Sequence, residues 1–338
     1  MEILLTMVDY KLERYSAIAG IVKKYFENRQ VIIVGNNPTL AAVLSDKCGI
    51  TDIKAISPEA GDDVNAVLNK KARKYYVVID SMKGTTVARK IFMDMGYRKI
   101  KDFVFTVRDN IVIKPDSGDY SDEYGNIVHC KSCRVYLDGN AVNTIVNVDD
   151  SVVFGEGCSI RIKKGVGIKL NIGKDCSFKE KVMLTLIEDG EITIKSGVRV
   201  GHDTRITAGS GCNIKIGKDC LIAYECRIYS GDGHAIFDTV TKKRINSYEK
   251  NNPKNSIDIG DHNWICMRAI VMSRCSTGVS CIMGAGAVVK GNYPNNCVIA
   301  GNPSRIVRRN VVWTHGVTDT DLDVACPAEY IRITDEPD

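Results

Sequence analysis

The chain is 338 residues long, with 46 basic and 41 acidic side chains, a formal net charge of +5 and 44% hydrophobic residues. That length and apolar content suffice for one large or two ordinary domains and exclude wholesale disorder. The charge is too small and too evenly spread to argue for a nucleic-acid partner. Aromatics make up 7% against 29 glycines, which favours a turn-rich architecture, and the thirteen cysteines cannot all pair. The first residues carry early acids and a short apolar run, unlike a secretory signal, and no run approaches the ~18 apolar residues of a membrane span. The expectation is a cytoplasmic protein with reduced thiols.

Residues 1–110 alternate short apolar runs with helix-like stretches. Asp9 to Asn28 reads as a helix, and Val31 to Val34 is a β-branched run stopped by Gly35. Pro38 to Asp46 reads as a second helix with proline near its first turn. Further strands are expected at Ile53–Ile56, Tyr75–Ile79 and Phe103–Phe105, with a helix over Thr85 to Met95 that ends at Gly96. Strands alternating with helices predict a parallel, Rossmann-like α/β domain. Its first strand-to-helix turn, Gly35 to Thr39, has one glycine where the dinucleotide fingerprint uses three, so a nonbinding or acceptor-shaping domain is the better reading. Residues 111–149 read as a connecting hairpin and linker.

From about residue 150 apolar residues recur every six positions: Phe154, Ile160, Val166, Ile172, Phe178 and Leu184. After slips of ten the series resumes at Ile194 and at Ile216, and after a long interruption at Ile259, running on to Val289. Of eighteen such positions only Thr277 is not apolar. A six-residue period belongs to neither helix nor plain strand. It is the mark of a hexapeptide-repeat β-helix, predicted over residues 150–300 as about six coils of about eighteen residues. The small residue after each repeat position, as in Gly155, Gly173, Gly201, Gly217 and Gly260, would permit a tight corner. Four residues past each repeat position another small side chain points inward: Cys158, Cys176, Cys220, Cys226, Cys275 and Cys281, with Ser210 at the same phase. Buried free cysteine acts there as a small hydrophobe. The pair Cys130 and Cys133 lacks the second pair that a structural zinc site needs.

Gly233-His234-Ala235-Ile236-Phe237-Asp238, Ile259-Gly260-Asp261-His262-Asn263-Trp264-Ile265, Gly284-Ala285-Gly286-Ala287-Val288-Val289 and Ile299-Ala300-Gly301-Asn302-Pro303-Ser304-Arg305-Ile306-Val307-Arg308 occur in that order. Together they resemble the hexapeptide-repeat O-acetyltransferases, and more narrowly those modifying capsular, lipopolysaccharide or sialic-acid-type glycans. The resemblance covers roughly residues 150 to 315. It implies a left-handed β-helix, usually a homotrimer, with acetyl-CoA as co-substrate between subunits, a carbohydrate acceptor and no required metal. By the same resemblance His234, in the Gly-His motif, is the general base, and direct transfer proceeds without an acyl-enzyme. Asp232 and Asp238 are alternative carboxylates to hold its tautomer. Trp264, Gly284, Ala285, Gly286, Lys290, Asn302, Arg305 and Arg308 fall at cofactor-binding places. Two departures stand out: Cys266 replaces a usual glycine, and Lys290 is displaced by one position. The excursion from Asp238 to Ser256, with Lys242, Lys243 and Arg244, suggests an anionic or nucleotide-linked sugar. Residues 301–338 form a C-terminal tail. Two competing readings are a non-catalytic β-helix scaffold and a carbonic-anhydrase-like zinc enzyme using His202, His234 and His262. The second suffers because the three histidines do not line up along an eighteen-residue coil.

Overall fold

The structure is a computed structural model. It describes residues 110–246 and 256–332 continuously and, before them, shorter stretches between residues 15 and 105. The chain is mostly β, and its dominant body is a β-solenoid built from parallel rungs.

In the N-terminal part, strands β1 (Gln30–Val34), β2 (Ile53–Ile56), β3 (Tyr75–Ile79) and β4 (Phe103–Phe105) form a parallel sheet in the order β2-β1-β3-β4. Helix α1 (Pro38–Cys48) follows β1. Leu40, Val43 and Leu44 of α1 are buried against Ile18, Val22, Val31 and Ile33. All four expected strands are therefore present. The Gly35–Asn37 turn and the expected helix over Thr85 to Met95 lie outside the described residues.

The solenoid has three faces. Its first face runs through Arg134–Leu137, Ser159–Ile162, Met183–Leu186, Arg205–Ala208 and Arg227–Ser230 into Ile270–Thr277. Its second runs through Ile127–His129, Ile145–Val148, Lys169–Ile172, Glu191–Ile194, Asn213–Ile216 and Ile257–Ile259. The long strands Ile270–Thr277 and Val288–Tyr293 serve both faces. On the third face seven strands pair in parallel, from Val153–Phe154 to Cys297–Gly301.

Every predicted repeat residue from Phe154 to Val289 sits in a strand, and all but Val166 sit in strands of these three faces. Ile160, Leu184, Ile206, Ile228, Val271 and Val289 stack as one interior row. Phe178, Val200, Ile222, Ile265 and Met283 form another. Full burial of each such side chain contributes roughly 1.5–3 kcal/mol. Phe154 and Phe178 stack with centroids 4.4 Å apart.

The turns differ in length from the expected eighteen residues. Phe154 pairs with Phe178, 24 residues on, and Phe178 and Val200 each pair with a residue 22 further along. Ile265 to Met283 is an eighteen-residue turn, and Met283 to Ile299 takes 16. In the 24-residue turn Val166 belongs to a fourth side, Gly165–Val166 paired with Ala141–Val142. The solenoid also starts earlier than residue 150. Residues 111–149, expected as a linker, supply its first rungs, so the expectation of six coils is replaced by a longer solenoid with shortening turns.

The glycines after the repeat positions serve a different purpose from the one expected. None of Gly155, Gly173, Gly201, Gly217 and Gly260 has a positive φ. A Cβ on Gly217 would stand 2.4 Å from the backbone of Gly260, and one on Gly201 would stand 2.6 Å from Ala223. The turns approach too closely there for a side chain. The left-handed corner residues come two positions later, at Asp175, Asp203, Asp219 and His262.

Five of the six expected interior cysteines are buried, and Cys158 is half-buried. Cys133 stacks on Cys158, and Val182, Thr204, Cys226, Ala269 and Ala287 continue the row. Ser210 is half-buried, and Cys212 is the buried residue beside it. Burial pushes the thiols of Cys212 and Cys226 up to about 11, and those of Cys220 and Cys275 to about 12.

The C-terminal residues after Gly301 are no loose tail. Ser304–Arg309 runs back antiparallel along Cys297–Gly301. Beyond it Trp313 and Tyr330 are buried against the solenoid. No helix among the described residues is long and apolar enough to cross a membrane.

Candidate active site

His234 lies in the excursion that leaves the solenoid after Ser230. The exit is pinned where the Gly231 amide donates to Ser273 Oγ at 2.6 Å. Asn246 then closes the base of the loop: its Nδ2 donates to the His234 carbonyl at 2.6 Å, and its Oδ1 accepts from the Ile236 amide at 2.7 Å. Arg244 Nε donates to the same Oδ1 at 3.0 Å. Asn246 is buried, so the loop backbone around His234 is held although its surface is exposed. The imidazole of His234 is exposed and makes no hydrogen bond to a described residue. Asn246 was not legible beforehand, because nothing in an asparagine-rich stretch marks the one that turns inward.

The two carboxylates near His234 differ. Asp238 Oδ1 accepts from the amides of Val240 and Thr241 at 3.0 and 2.6 Å and from Thr241 Oγ1 at 2.9 Å. The Thr241 bonds, first the amide, hold its carboxyl below the usual carboxylate range. Asp238 thus organises its own turn. The carboxylate of Asp232 is exposed and makes no such bond.

Beside the root of this loop lies a groove of about 720 Å³ lined by Asp258, Arg274, Ser276, Lys290 and Asn292 among others. Lys290 is exposed, and its amide donates to Ser304 Oγ at 3.4 Å. Tyr293 Oη lies 2.6 Å from the same Oγ. Lys290 is thereby tied to the loop of Asn302, whose bond to Pro303 is cis, and to the strand bearing Arg305 and Arg308. Arg305 pairs with Ala300 and Arg308 with Val298, and both arginines are exposed.

The other predicted residues lie elsewhere on the chain. Gly284 occupies a corner where a Cβ would stand 3.3 Å from Ala300 Cβ. Ala285 is exposed beside it. Gly286 has φ 68°, and its amide already donates to the Met267 carbonyl at 3.0 Å, so that N–H is not open to a ligand. Trp264 lies on the third face between Leu221 and Ile282, with its ring 5.9 Å from Trp313. One chain therefore gathers Lys290 with Asn302 and Arg305, and leaves Trp264 and His234 on different sides of the solenoid.

The three histidines of the zinc reading do not converge. His202 stacks on Tyr224 at 4.9 Å, His234 sits in its loop, and His262 lies at another corner. His262 instead meets residues that sequence reading did not join to it. Its Nδ1 lies 2.9 Å from Asp219 Oδ2, and its Nε2 lies 2.9 Å from the Trp313 carbonyl. His315 Nε2 lies 2.9 Å from Asp219 Oδ1. The His262 ring is sandwiched between Trp313 and Tyr330, each with centroids at 4.3 Å. Trp313 Nε1 donates back to the His262 carbonyl at 2.7 Å. Among the described residues this is the one group of three such side chains whose ligand atoms lie within 4.8 Å of one another. Its atoms already satisfy each other by hydrogen bonding, and it fastens the C-terminal segment.

No protein-family model matches the chain. A polysialic acid O-acetyltransferase of Escherichia coli O1:K1 / APEC is 29% identical over 145 residues, which cover 42% of this chain. The chain spans 40% of the length of that curated relative. The solved structure of the polysialic-acid-specific acetyltransferase NeuO shares 25% identity with a TM-score of 0.49, covering 56% of this chain and 83% of its own. That of the polysialic acid O-acetyltransferase OatWY shares 24% identity with a TM-score of 0.46, covering 56% and 97%. The chain is thus similar to a polysialic acid O-acetyltransferase, in keeping with the resemblance that its four motifs carry.

Proposed function

We propose that the chain is an acetyl-CoA-dependent O-acetyltransferase acting on a sugar hydroxyl of a bacterial surface glycan or its precursor. The observation that carries this reading is His234: an exposed imidazole, without a hydrogen bond to any described residue, on a loop whose backbone is clamped by Asn246 and Ser273, beside a groove bordered by Arg274 and Lys290. The likeness to a polysialic acid O-acetyltransferase supports a carbohydrate acceptor.

In this reading acetyl-CoA supplies the activated acetyl group. His234 takes the proton from the acceptor hydroxyl, whose oxygen attacks the thioester carbonyl, and coenzyme A departs as the thiolate. Asp232, whose carboxylate is not engaged in a turn, is the local carboxylate left to fix the tautomer. Lys290, Arg305 and Arg308 converge at the last turns and suit the phosphates of coenzyme A. The residues of a single chain fit that group in part, since Trp264 lies on another face. A homotrimer with sites between left-handed solenoids would complete it, and the exposed Tyr224, Met267, Ile270 and Met272 along the first face and its leading corner offer apolar surface for a second copy. The N-terminal parallel sheet is Rossmann-like in this reading and helps to shape the acceptor side, and the protein works in the cytoplasm on reduced thiols.

The test is coenzyme A release from acetyl-CoA against sugars, nucleotide sugars and polysaccharides. Wild-type protein should release coenzyme A with at least one acceptor, and His234→Ala should fold, keep its oligomeric mass and lose more than ~100-fold in rate, the scale of general-base catalysis. A variant that keeps wild-type activity removes His234 as the base.

A further inference from the structure

Among the free thiols of the chain, two meet. Cys281 and Cys297 stand one position before the paired residues Ile282 and Val298 of the third face, so they hold the same place on successive turns. Their sulfurs lie 3.8 Å apart. Both also face one carbonyl, that of Pro294, at 3.0 Å from Cys281 Sγ and 3.4 Å from Cys297 Sγ. The stacked pair at the other end of the solenoid behaves differently. There Cys133 Sγ turns to the Arg134 carbonyl at 3.7 Å, and Cys158 Sγ turns to the Lys179 carbonyl at 2.9 Å. Interior packing asks only for a small side chain, as Ala269 and Ala287 show in another row. It does not ask for two sulfurs in contact.

The spacing suits a bond. Neighbouring rungs of a sheet are about 4.7–4.9 Å apart. That falls inside the roughly 4.4–6.8 Å between Cα atoms that a disulfide spans, so side-chain rotation can join the sulfurs with little backbone movement. The local charge suits it as well. Cys297 pairs with Arg309 across the antiparallel terminal strands. The hydrogen bond with Cys281, and after it the charge of Arg309, outweigh burial and hold the Cys297 thiol below its ordinary value. The same hydrogen bond, and then burial, hold Cys281 far above its own. Cys297 is therefore the readier nucleophile of the two. Both sulfurs are buried, so only a small oxidant can reach them, through the local openings to which the end of a stack is most prone.

We propose that Cys281 and Cys297 are a modification site, at which a hydroperoxide forms a disulfide that staples the last two turns of the solenoid. With hydrogen peroxide, the Cys297 thiolate attacks one oxygen, the O–O bond breaks, and a sulfenic acid and a water result. The Cys281 sulfur then displaces the sulfenic hydroxyl, which leaves as a second water with the Cys281 proton. The two sulfurs lose two electrons and the peroxide gains them. The bond closes a loop that contains Gly284, Gly286 and Lys290. It also anchors Asn296, whose Nδ2 donates to the carbonyls of Val311 at 3.1 Å and Tyr330 at 2.9 Å. The C-terminal segment is thereby tied to the turn before the last. None of this depends on the transfer reading.

In the experiment, native protein is treated with hydrogen peroxide, alkylated in denaturant and digested with trypsin, which cuts after Arg274, Lys290 and Arg305. Mass spectrometry should find peptide 275–290 joined to peptide 291–305, with fragmentation placing the link at Cys281 and not at Cys275. Dithiothreitol should reverse the link, and Cys297→Ala should abolish it. The linked protein should melt several degrees above the reduced protein, as expected for closure of a loop of this length. If Cys281 and Cys297 are still alkylated in full when the half-buried Cys266 has been oxidised, the site is overturned. A link from Cys297 to any other thiol overturns it too. A linked protein that melts no higher than the reduced one overturns the staple.

Discussion

Asp232 and Asp238 flank one histidine, yet their surroundings assign them different work. The carboxylate of Asp238 accepts three hydrogen bonds from its own turn, two from Thr241 and one from Val240. Asp238→Ala should therefore appear chiefly in thermal unfolding, as a lowered melting temperature, because its turn loses three hydrogen bonds. If the proposed mechanism holds, Asp232→Ala should leave the melting temperature in place and lower kcat, with a changed pH–rate profile, because no local carboxylate is then left to orient the imidazole as it takes up its proton. Paired melting and steady-state measurements separate the two, and the reverse pattern would exchange the roles. His234 itself was legible in the sequence, since a Gly-His pair opening the one long break in a repeat is a local feature. Asn246 was not, because its importance comes from a side chain folding back across the loop to a residue twelve positions away.

At the scale of the element, the interior rows explain why so many thiols are tolerated. Each turn leaves a narrow position where valine, threonine, alanine and cysteine are interchangeable in size. The same burial sets a pH limit. The thiols of Cys212, Cys226, Cys220 and Cys275 lie at about 11 to 12 in the folded protein, above the ordinary value of 9.0. A raised thiol pKa means the fold favours the neutral form, so the associated stability is fully present below about 9, the unfolded value, and is lost as pH rises through the folded values. Melting temperature should fall steeply between pH 9 and 12, and replacing Cys220 and Cys275 with alanine should flatten that fall. An unchanged slope would show that these thiols ionise in the folded state. The six-residue rhythm predicted the strands because one apolar side chain per strand must face inward. It could not give turn length: inserted residues leave the solenoid at a corner and alter no interior position.

For the whole molecule, the C-terminal segment acts as a clasp. Trp313, Tyr330 and His315 come from beyond the repeats and close over His262 and Asp219. Trp313→Ala removes a stacked, hydrogen-bonded indole and should cost roughly 3–5 kcal/mol. Limited trypsin digestion should then cut after Arg308 or Arg309 and free the remainder, where the wild-type segment resists. Protection equal to wild type would show that the clasp holds by other contacts. No sequence signal could announce this cluster, because its members are brought together from residues 219, 262, 313, 315 and 330 by the pitch of the solenoid and the return of the chain along its third face.

That return has a consequence for life at high concentration. A stack of parallel rungs is an open-ended template, and a second molecule arriving at either end would find rows of backbone groups ready to continue the stack. Here three of the edge strands run against the rest. Ile111–Ile113 and Tyr120–Ser121 are antiparallel to their neighbours at one end, and Ser304–Arg309 is antiparallel at the other, with Arg305, Arg308 and Arg309 along it. At those edges an incoming parallel rung meets a reversed strand, and at the C-terminal one a row of cations as well, which works against the filament that the repeat would otherwise seed.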